Sequence, residues 1–217
     1  MVTSSPPTRL SRAESQAQTR ARLVETARAM FLREGYASTS LERVAEVAGY
    51  SKGAVYSNFQ GKDDLCLAVL DSIQTEVADA VLTALDGAAT FDEALQVFDM
   101  WAEARLGDPE WSALEAEFAA RARRHPGVRR ALLERDQGLH AVIAGALERT
   151  CAQHGLTPLI PVQEVAAALL SLGIGLGLQR SVNPALPVRV LSDVARALVG
   201  DPSASSVAPF EGPEGHV

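Results

Sequence analysis

Lysine is almost absent from this chain: of its 20 basic residues only Lys52 and Lys62 are lysines, and the remainder are arginines. Cysteine is nearly absent too. Cys66 and Cys151 stand far apart, which excludes a disulfide framework and a zinc spacing and makes the reducing cytoplasm the expected compartment. Long apolar runs are missing. The most apolar stretch, Ala166 to Leu178, is thirteen residues long and holds Ser171 and three glycines, too short to cross a bilayer, so no membrane partner is expected. Residues 1 to 15 are polar and Pro/Ser-rich, so no secretory signal is expected at the start. There is no nucleophile elbow, no HExxH, no CxxC pair and no phosphate loop, which argues against an enzyme. Gly173, Gly175 and Gly177 do not form a nucleotide loop, because no strand precedes them. Neither a cofactor nor a metal is expected.

What is present centres on Thr39 to Lys62. Leu41, Val44, Ala45 and Ala48 recur at helical spacing, as one buried face of a short helix opened by Thr39 as N-cap with Glu42 three residues on. Gly49 supplies the left-handed turn, and Ser51 caps a second helix anchored by Val55 and Phe59. Ala45 is small enough for the two helices to cross closely. On the second helix Gly53, Tyr56 and Ser57 point away from the anchors, and Lys52 stands in its first turn, where free N–H groups and the helix dipole favour anions. An ordinary helical hairpin with a polar outer face is the competing reading. Caps on both helices, small residues at the crossing and a short basic second helix together favour a DNA reader.

These residues carry a resemblance. Phe31-Leu32-Arg33-Glu34-Gly35-Tyr36, Thr39-Ser40, Ala45-Glu46-Val47-Ala48-Gly49, Ser51 through Phe59 and Lys62-Asp63-Asp64-Leu65 resemble the N-terminal domain of the TetR family of bacterial transcriptional regulators. The resemblance implies a three-helix DNA-binding head joined to a helical body that senses a ligand and dimerises. It directs Lys52 and Gly53 toward base edges, and Ser40, Tyr56, Asn58 and Lys62 toward the backbone, with Ser51 and Ser57 nearby. Asn58 departs from the His common there, which changes what that side chain donates and accepts.

Charge follows the same division. Residues 1 to 62 carry nine Lys and Arg against five Glu, a net +4, and residues 63 to 217 carry eleven Arg against 22 acids, a net −11. A basic head and an acidic body orient the molecule head-first toward DNA.

The fold expected is all-α, with about nine helices: a three-helix helix-turn-helix domain over residues 16–61, a helical ligand-sensing and dimerisation domain over 62–200, and disordered ends at 1–15 and 201–217. Arg9 and Arg12 on the leader are candidates for a minor-groove arm, against the plainer alternative of a loose tail. Helix one is expected from about Gln16 to Glu34 with Leu23, Ala27, Met30 and Phe31 buried. Helix four, from near Lys62 to about Leu85, is continuous enough to act as a lever between head and body. Asp86-Gly87 breaks it. The fifth helix closes at Gly107-Asp108-Pro109, the sixth ends before His125, the seventh runs from about Val128 to His154, the eighth from Val162 to Ser181, and the ninth from Val188 to Val199.

The eighth helix is apolar nearly all round, which calls for a partner beyond its own core, most simply a second subunit. In the resembling family the last two helices build a dimer interface, here assigned to Leu172, Gly175, Leu176, Leu191, Val194 and Leu198. A twofold dimer implies a palindromic operator in double-stranded DNA. For a sensor, Phe98, Trp101, Trp111 and Phe118 offer rings for an apolar pocket, and Glu115, Asp136 and His140 fall within the apolar stripes. Core packing and internal salt bridges, with Arg105 or Arg121 as partners of Glu115, are the structural alternative. The leading function is a repressor released from its operator by a small molecule; the alternative is a DNA-binding regulator without a small-molecule ligand, controlled by a partner or by abundance.

Overall fold

The computed structural model describes residues 11–199. The termini, 1–10 and 200–217, lie outside it and with them Arg9 and the expected tail. Helix α1 (Arg12–Glu34) starts earlier than its apolar stripe suggested. Ser11 Oγ accepts from the Glu14 N–H at 3.2 Å, and the Glu14 carboxylate accepts from the Ser11 N–H at 2.7 Å. This capping box satisfies two otherwise orphaned donors, so the helix extends over residues expected in the leader, and Arg12 is helical rather than part of an arm.

Helix α2 (Leu41–Ala48) is capped by Ser40, whose Oγ accepts from the Arg43 N–H, and not by Thr39. Thr39 is buried and donates its hydroxyl back to the Gly35 carbonyl at 3.0 Å, so it ties off the end of α1 instead. Gly49 then turns left-handed at φ 77°, which brings the Tyr50 N–H to within 2.9 Å of the Ala45 carbonyl and closes the helix end. Helix α3 (Lys52–Tyr56) is capped by Ser51 as expected. It is shorter than the spacing of its anchors implied: Phe59 lies one turn beyond it, still buried, with its N–H bonded to Val55 O.

Six longer helices follow: α4 (Lys62–Gly87), α5 (Phe91–Arg105), α6 (Pro109–Ala122), α7 (Pro126–His154), α8 (Val162–Arg180) and α9 (Val190–Val199). No strand occurs among the described residues. The expected breaks hold: α5 ends at Arg105, before Gly107, and α6 at Ala122, before His125. Pro109 and Pro126 open α6 and α7, since a first-turn proline forfeits only an N–H that has no helical partner. Helix α4 ends at the expected Asp86-Gly87, which form part of its last turn.

The chain packs as two units. One comprises residues 11–75 with Glu110–Arg135. Its core joins Leu23, Met30 and Phe31 of α1 and Val44 of α2 to Val55, Phe59, Leu65, Leu70 and Ile73, and also to Leu114 and Phe118 of α6 and Val128 of α7. The head expected over residues 16–61 therefore shares its core with α6, the start of α7 and the first half of α4.

The other unit comprises Glu76–Pro109 with residues 136–199. Phe91, Leu95, Ile143, Leu147, Val165, Ala166, Ala195 and Val199 form its core. Buried Arg180 at the end of α8 donates to the Leu106 carbonyl at 3.0 Å and pairs with Glu103 at 3.1 Å. Gly107, at φ 93°, sits so close that a Cβ there would lie 2.4 Å from Arg180 Cβ, so glycine is required by contact as well as by backbone. At 19 residues α8 is longer than its thirteen-residue apolar run and reaches the length and hydropathy of a membrane span. Within this unit it buries Val165, Ala166, Leu176, Gly177 and Arg180, and only 22% of its apolar window is buried.

Candidate nucleic-acid interface

Burying Val55 and Phe59 fixes which side of α3 faces solvent. Ser51, Lys52, Gly53, Tyr56 and Ser57 are all exposed on that side. The backbone is open at Gly53: a Cβ at this position would have Ser51 Oγ, at 3.8 Å, as its nearest neighbour. The fold itself therefore has no need of glycine at this helical position, where it weakens the helix. Lys52 Nζ stands 2.7 Å from Glu42 Oε1 of α2, and Tyr56 donates its hydroxyl toward the same oxygen at 3.4 Å. The hydrogen bond from Lys52 holds the Glu42 carboxyl below its ordinary range, and the same bond raises the ammonium of Lys52.

The other three expected contact residues are held by the scaffold. Ser40 is occupied as the cap of α2. Asn58 donates its amide to the Ala54 carbonyl at 2.8 Å and is half-buried. Lys62 donates to the Ala37 carbonyl at 3.1 Å and lies 4.2 Å from the centre of the Tyr36 ring. Burial, with the Arg121 charge nearby, pulls the Lys62 ammonium below its usual value.

Sequence reasoning missed the residues that support this surface. Arg20 of α1 donates to the Asn58 carbonyl at 2.6 Å and covers the Phe59 ring at 4.2 Å, bracing the exit of α3 from 38 residues away. Tyr36 is the hub behind the first turn of α4. Its hydroxyl donates to Asp63, its N–H donates to Glu117 at 2.9 Å, and its ring packs edge-on against Phe118 at 5.5 Å. Arg121 pairs with Asp63 through two hydrogen bonds, Nε to Oδ1 and Nη2 to Oδ2. Burial opposes ionisation of Asp63, but the bonds from Arg121 and Tyr36 outweigh it, and the carboxyl stays below its usual range. Burial likewise raises the Tyr36 phenol and pushes the Cys66 thiol up to about 12, so that thiol is inert at neutral pH.

The expected sensor residues are divided between the two packing units. Trp111, Glu115 and Phe118 belong to the first unit and Phe98, Trp101, Asp136 and His140 to the second. Phe118 is fully buried in the core that backs the helix-turn-helix, and Trp111 packs against it. Glu115 reaches Arg135 at 3.7 Å rather than Arg105 or Arg121. Phe98 and Trp101 do pair, with ring centres 5.6 Å apart. Asp136 is exposed, and His140 Nδ1 approaches its backbone carbonyl at 2.8 Å and its carboxylate at 3.6 Å.

Of the expected dimer residues, Leu176 and Leu191 are buried within the chain, while Leu172, Gly175, Val194 and Leu198 are half-buried. The apolar side chains that α8 and its exit leave in solvent are others: Ile174, Leu178 and Val182, 58%, 55% and 85% exposed. They recur every four residues on one face, a stripe that a helix apolar on all sides conceals in the sequence.

Residues 23–69 match the family model for bacterial regulatory proteins of the tetR family, and residues 91–201 match that for the C-terminal part of BetI-type transcriptional repressors. The HTH-type transcriptional regulator TtgR of Pseudomonas putida is 42% identical over 60 residues, 28% of this chain and 29% of TtgR. The match thus spans under a third of that curated relative. Among solved structures, Escherichia coli NemR in its reduced form superposes with a TM-score of 0.68 at 20% identity, covering 85% of this chain and 99% of NemR. A Saccharomonospora viridis chain in complex with choline gives 0.59 at 20% identity, over 83% of this chain and 93% of the other.

Proposed function

The chain belongs to the TetR family of bacterial regulatory proteins and is a DNA-binding transcriptional regulator, not an enzyme; from that membership we propose that it is a homodimeric repressor whose hold on a palindromic operator is released by a small molecule bound in its C-terminal domain. The match to the C-terminal part of BetI-type repressors over 111 residues carries this reading. Lys52, Gly53 and Tyr56 are the base-facing and backbone-facing groups of the solvent side of α3, with Ser51 and Ser57 beside them. Ser40, Asn58 and Lys62 hold the frame, and Lys62 reaches phosphate by giving up the Ala37 carbonyl.

The second subunit docks on the α8 face that presents Ile174, Leu178 and Val182, with Leu172, Gly175, Val194 and Leu198 at its margins. Burying such a stripe is favourable at about 25 cal/mol per Å² of apolar surface. Ligand binding acts through differential affinity for the DNA-competent arrangement. Continuous α4 and α7, each beginning in one packing unit and ending in the other, provide the mechanical connection. Phe98 and Trp101 are the sensor residues best supported, as a half-buried ring pair on α5.

The test is a titration of the purified protein against its own upstream intergenic DNA at several salt concentrations, repeated with choline and with hydrophobic, cationic and acyl-type compounds. Tight, salt-dependent binding released by one compound supports the reading. Tight binding that no compound releases overturns the ligand-controlled part and favours control by a partner or by abundance.

A further inference from the structure

Both outward-facing polar side chains in the middle of the recognition surface, Lys52 and Tyr56, converge on one carboxylate. Glu42 Oε1 lies 2.7 Å from Lys52 Nζ and 3.4 Å from the Tyr56 hydroxyl, and the Lys52 ammonium sits 5.7 Å from the centre of the Tyr56 ring. All three residues are exposed, with the Lys52 and Glu42 side chains 63% and 51% accessible. The contact is therefore not required to compensate burial. A carboxylate on this surface is placed against its lysine. Among the basic groups of the helix-turn-helix, Arg43 is paired with Glu34 at 2.8 Å and Arg20 is engaged with the Asn58 carbonyl. Glu42 thus stands to Lys52 as Glu34 stands to Arg43.

We propose that Glu42 is a specificity-determining residue: an internal counterion that cancels the phosphate attraction of Lys52 and leaves its hydrogen bonds as the part that distinguishes sequences. The reasoning is an ion balance. A free lysine that meets a phosphate releases one condensed cation from DNA, and that release drives sequence-independent binding. A lysine that first leaves Glu42 also releases a cation from DNA, but the freed carboxylate gathers one, and the net release is near zero. On nonspecific DNA the exchange gains little. Where a base edge accepts from Lys52, the hydrogen bonds are additional, and the complex is favoured there alone. The same carboxylate fixes Lys52 and Tyr56 in one orientation before DNA arrives. Lys52 consequently discriminates between duplexes more than it adheres to them.

The inference rests on α3 being the DNA-reading helix, and binding of the unaltered protein to a duplex it selects from a random pool tests that premise separately. Affinities for the selected duplex and for a scrambled duplex of equal length are then measured across a salt series for the unaltered protein, Glu42→Gln, Lys52→Ala and the double variant. Glutamine keeps the size of Glu42 and an acceptor for Tyr56, and circular dichroism checks that each variant is folded. The expected result for Glu42→Gln is scrambled-duplex binding tighter by about two- to fivefold, in keeping with an exposed ion pair. Its salt slope should steepen by about one per α3 engaged, and the ratio of selected to scrambled affinity should fall. In the Lys52→Ala background the same substitution should change none of these. An unchanged slope overturns the proposal. So does an equal gain in the Lys52→Ala background, which would mean that Glu42 repels phosphate directly, and so does loss of the selected duplex alone, which would make Glu42 itself a base contact.

Discussion

Arg121 and Asp63 form a two-point ion pair, Nε to Oδ1 at 2.5 Å and Nη2 to Oδ2 at 2.9 Å, that fastens α6 to the first turn of α4. Tyr36, at the end of α1, donates its hydroxyl to the same carboxylate. Three segments of the chain, separated by up to 85 residues from Tyr36 to Arg121, thus meet at one side chain.

Because Asp63 is held below the ordinary carboxylate range, its contribution to stability is fully present above the unfolded value and is lost as the pH falls through the folded one. Urea unfolding of the native protein and Asp63→Asn should therefore differ by a constant amount, about 1–2 kcal/mol, above roughly pH 5. The difference should shrink on acidification. A gap that stays constant to the acid limit would mean that the ion pair contributes nothing.

Phe118 is fully buried among residues of the helix-turn-helix unit, although it comes from α6. Phe118→Ala should destabilise that unit by about 3–5 kcal/mol. Thermal unfolding followed by circular dichroism, together with loss of DNA binding at a temperature where the native protein still binds, would report it. A native-like melting curve would place Phe118 outside this core.

Gly53 separates folding from recognition. With only Ser51 Oγ near a Cβ at that position, Gly53→Ala should leave the fold intact and stabilise α3 by about 0.5–1 kcal/mol. Binding to a selected duplex should nonetheless weaken, by about tenfold for Gly53→Val, because a side chain holds the helix backbone off the base edges. Undiminished affinity in the valine variant would show that α3 does not approach DNA at this point.

Ile174, Leu178 and Val182 make the proposed subunit interface directly testable. Leu178→Glu places a charge in the middle of the stripe, and sedimentation should show a shift from dimer to monomer. Its helix content should hold, because Leu178 is exposed in the single chain. A dimer undisturbed by the substitution would locate the interface elsewhere.

Much of the helix-turn-helix could be read from residues close in sequence. Gly49 and Ser51 act as expected because turn and cap chemistry are local, and Val55 and Phe59 are buried as their spacing requires. Thr39 and Ser40 show where such reading fails. Both are hydroxyl residues before the same apolar stripe, and the choice between them is made by the Gly35 carbonyl, which takes the Thr39 hydroxyl and leaves Ser40 to cap. Which unit each sensor candidate packs in was least legible. Trp111 and Phe118 share an amphipathic pattern with Phe98 and Trp101, and periodicity says which face of a helix is buried but not which core receives it. Likewise α8 offers no polar face by which to orient it, so its exposed stripe emerged only from packing.

The presence of Phe118, Arg121 and Glu117 behind Tyr36 bears on how this regulator can be rewired. A chimaera that exchanged the DNA-reading segment where it ends along the chain would be cut just before Lys62. That crossover would part Tyr36 from the aromatic ring, carboxylate and guanidinium that seat it, and would graft a reader whose foundation stayed with the donor. A working exchange has two crossovers more, bringing α6 along, or else a recipient whose own α6 offers a matching ring and ion pair.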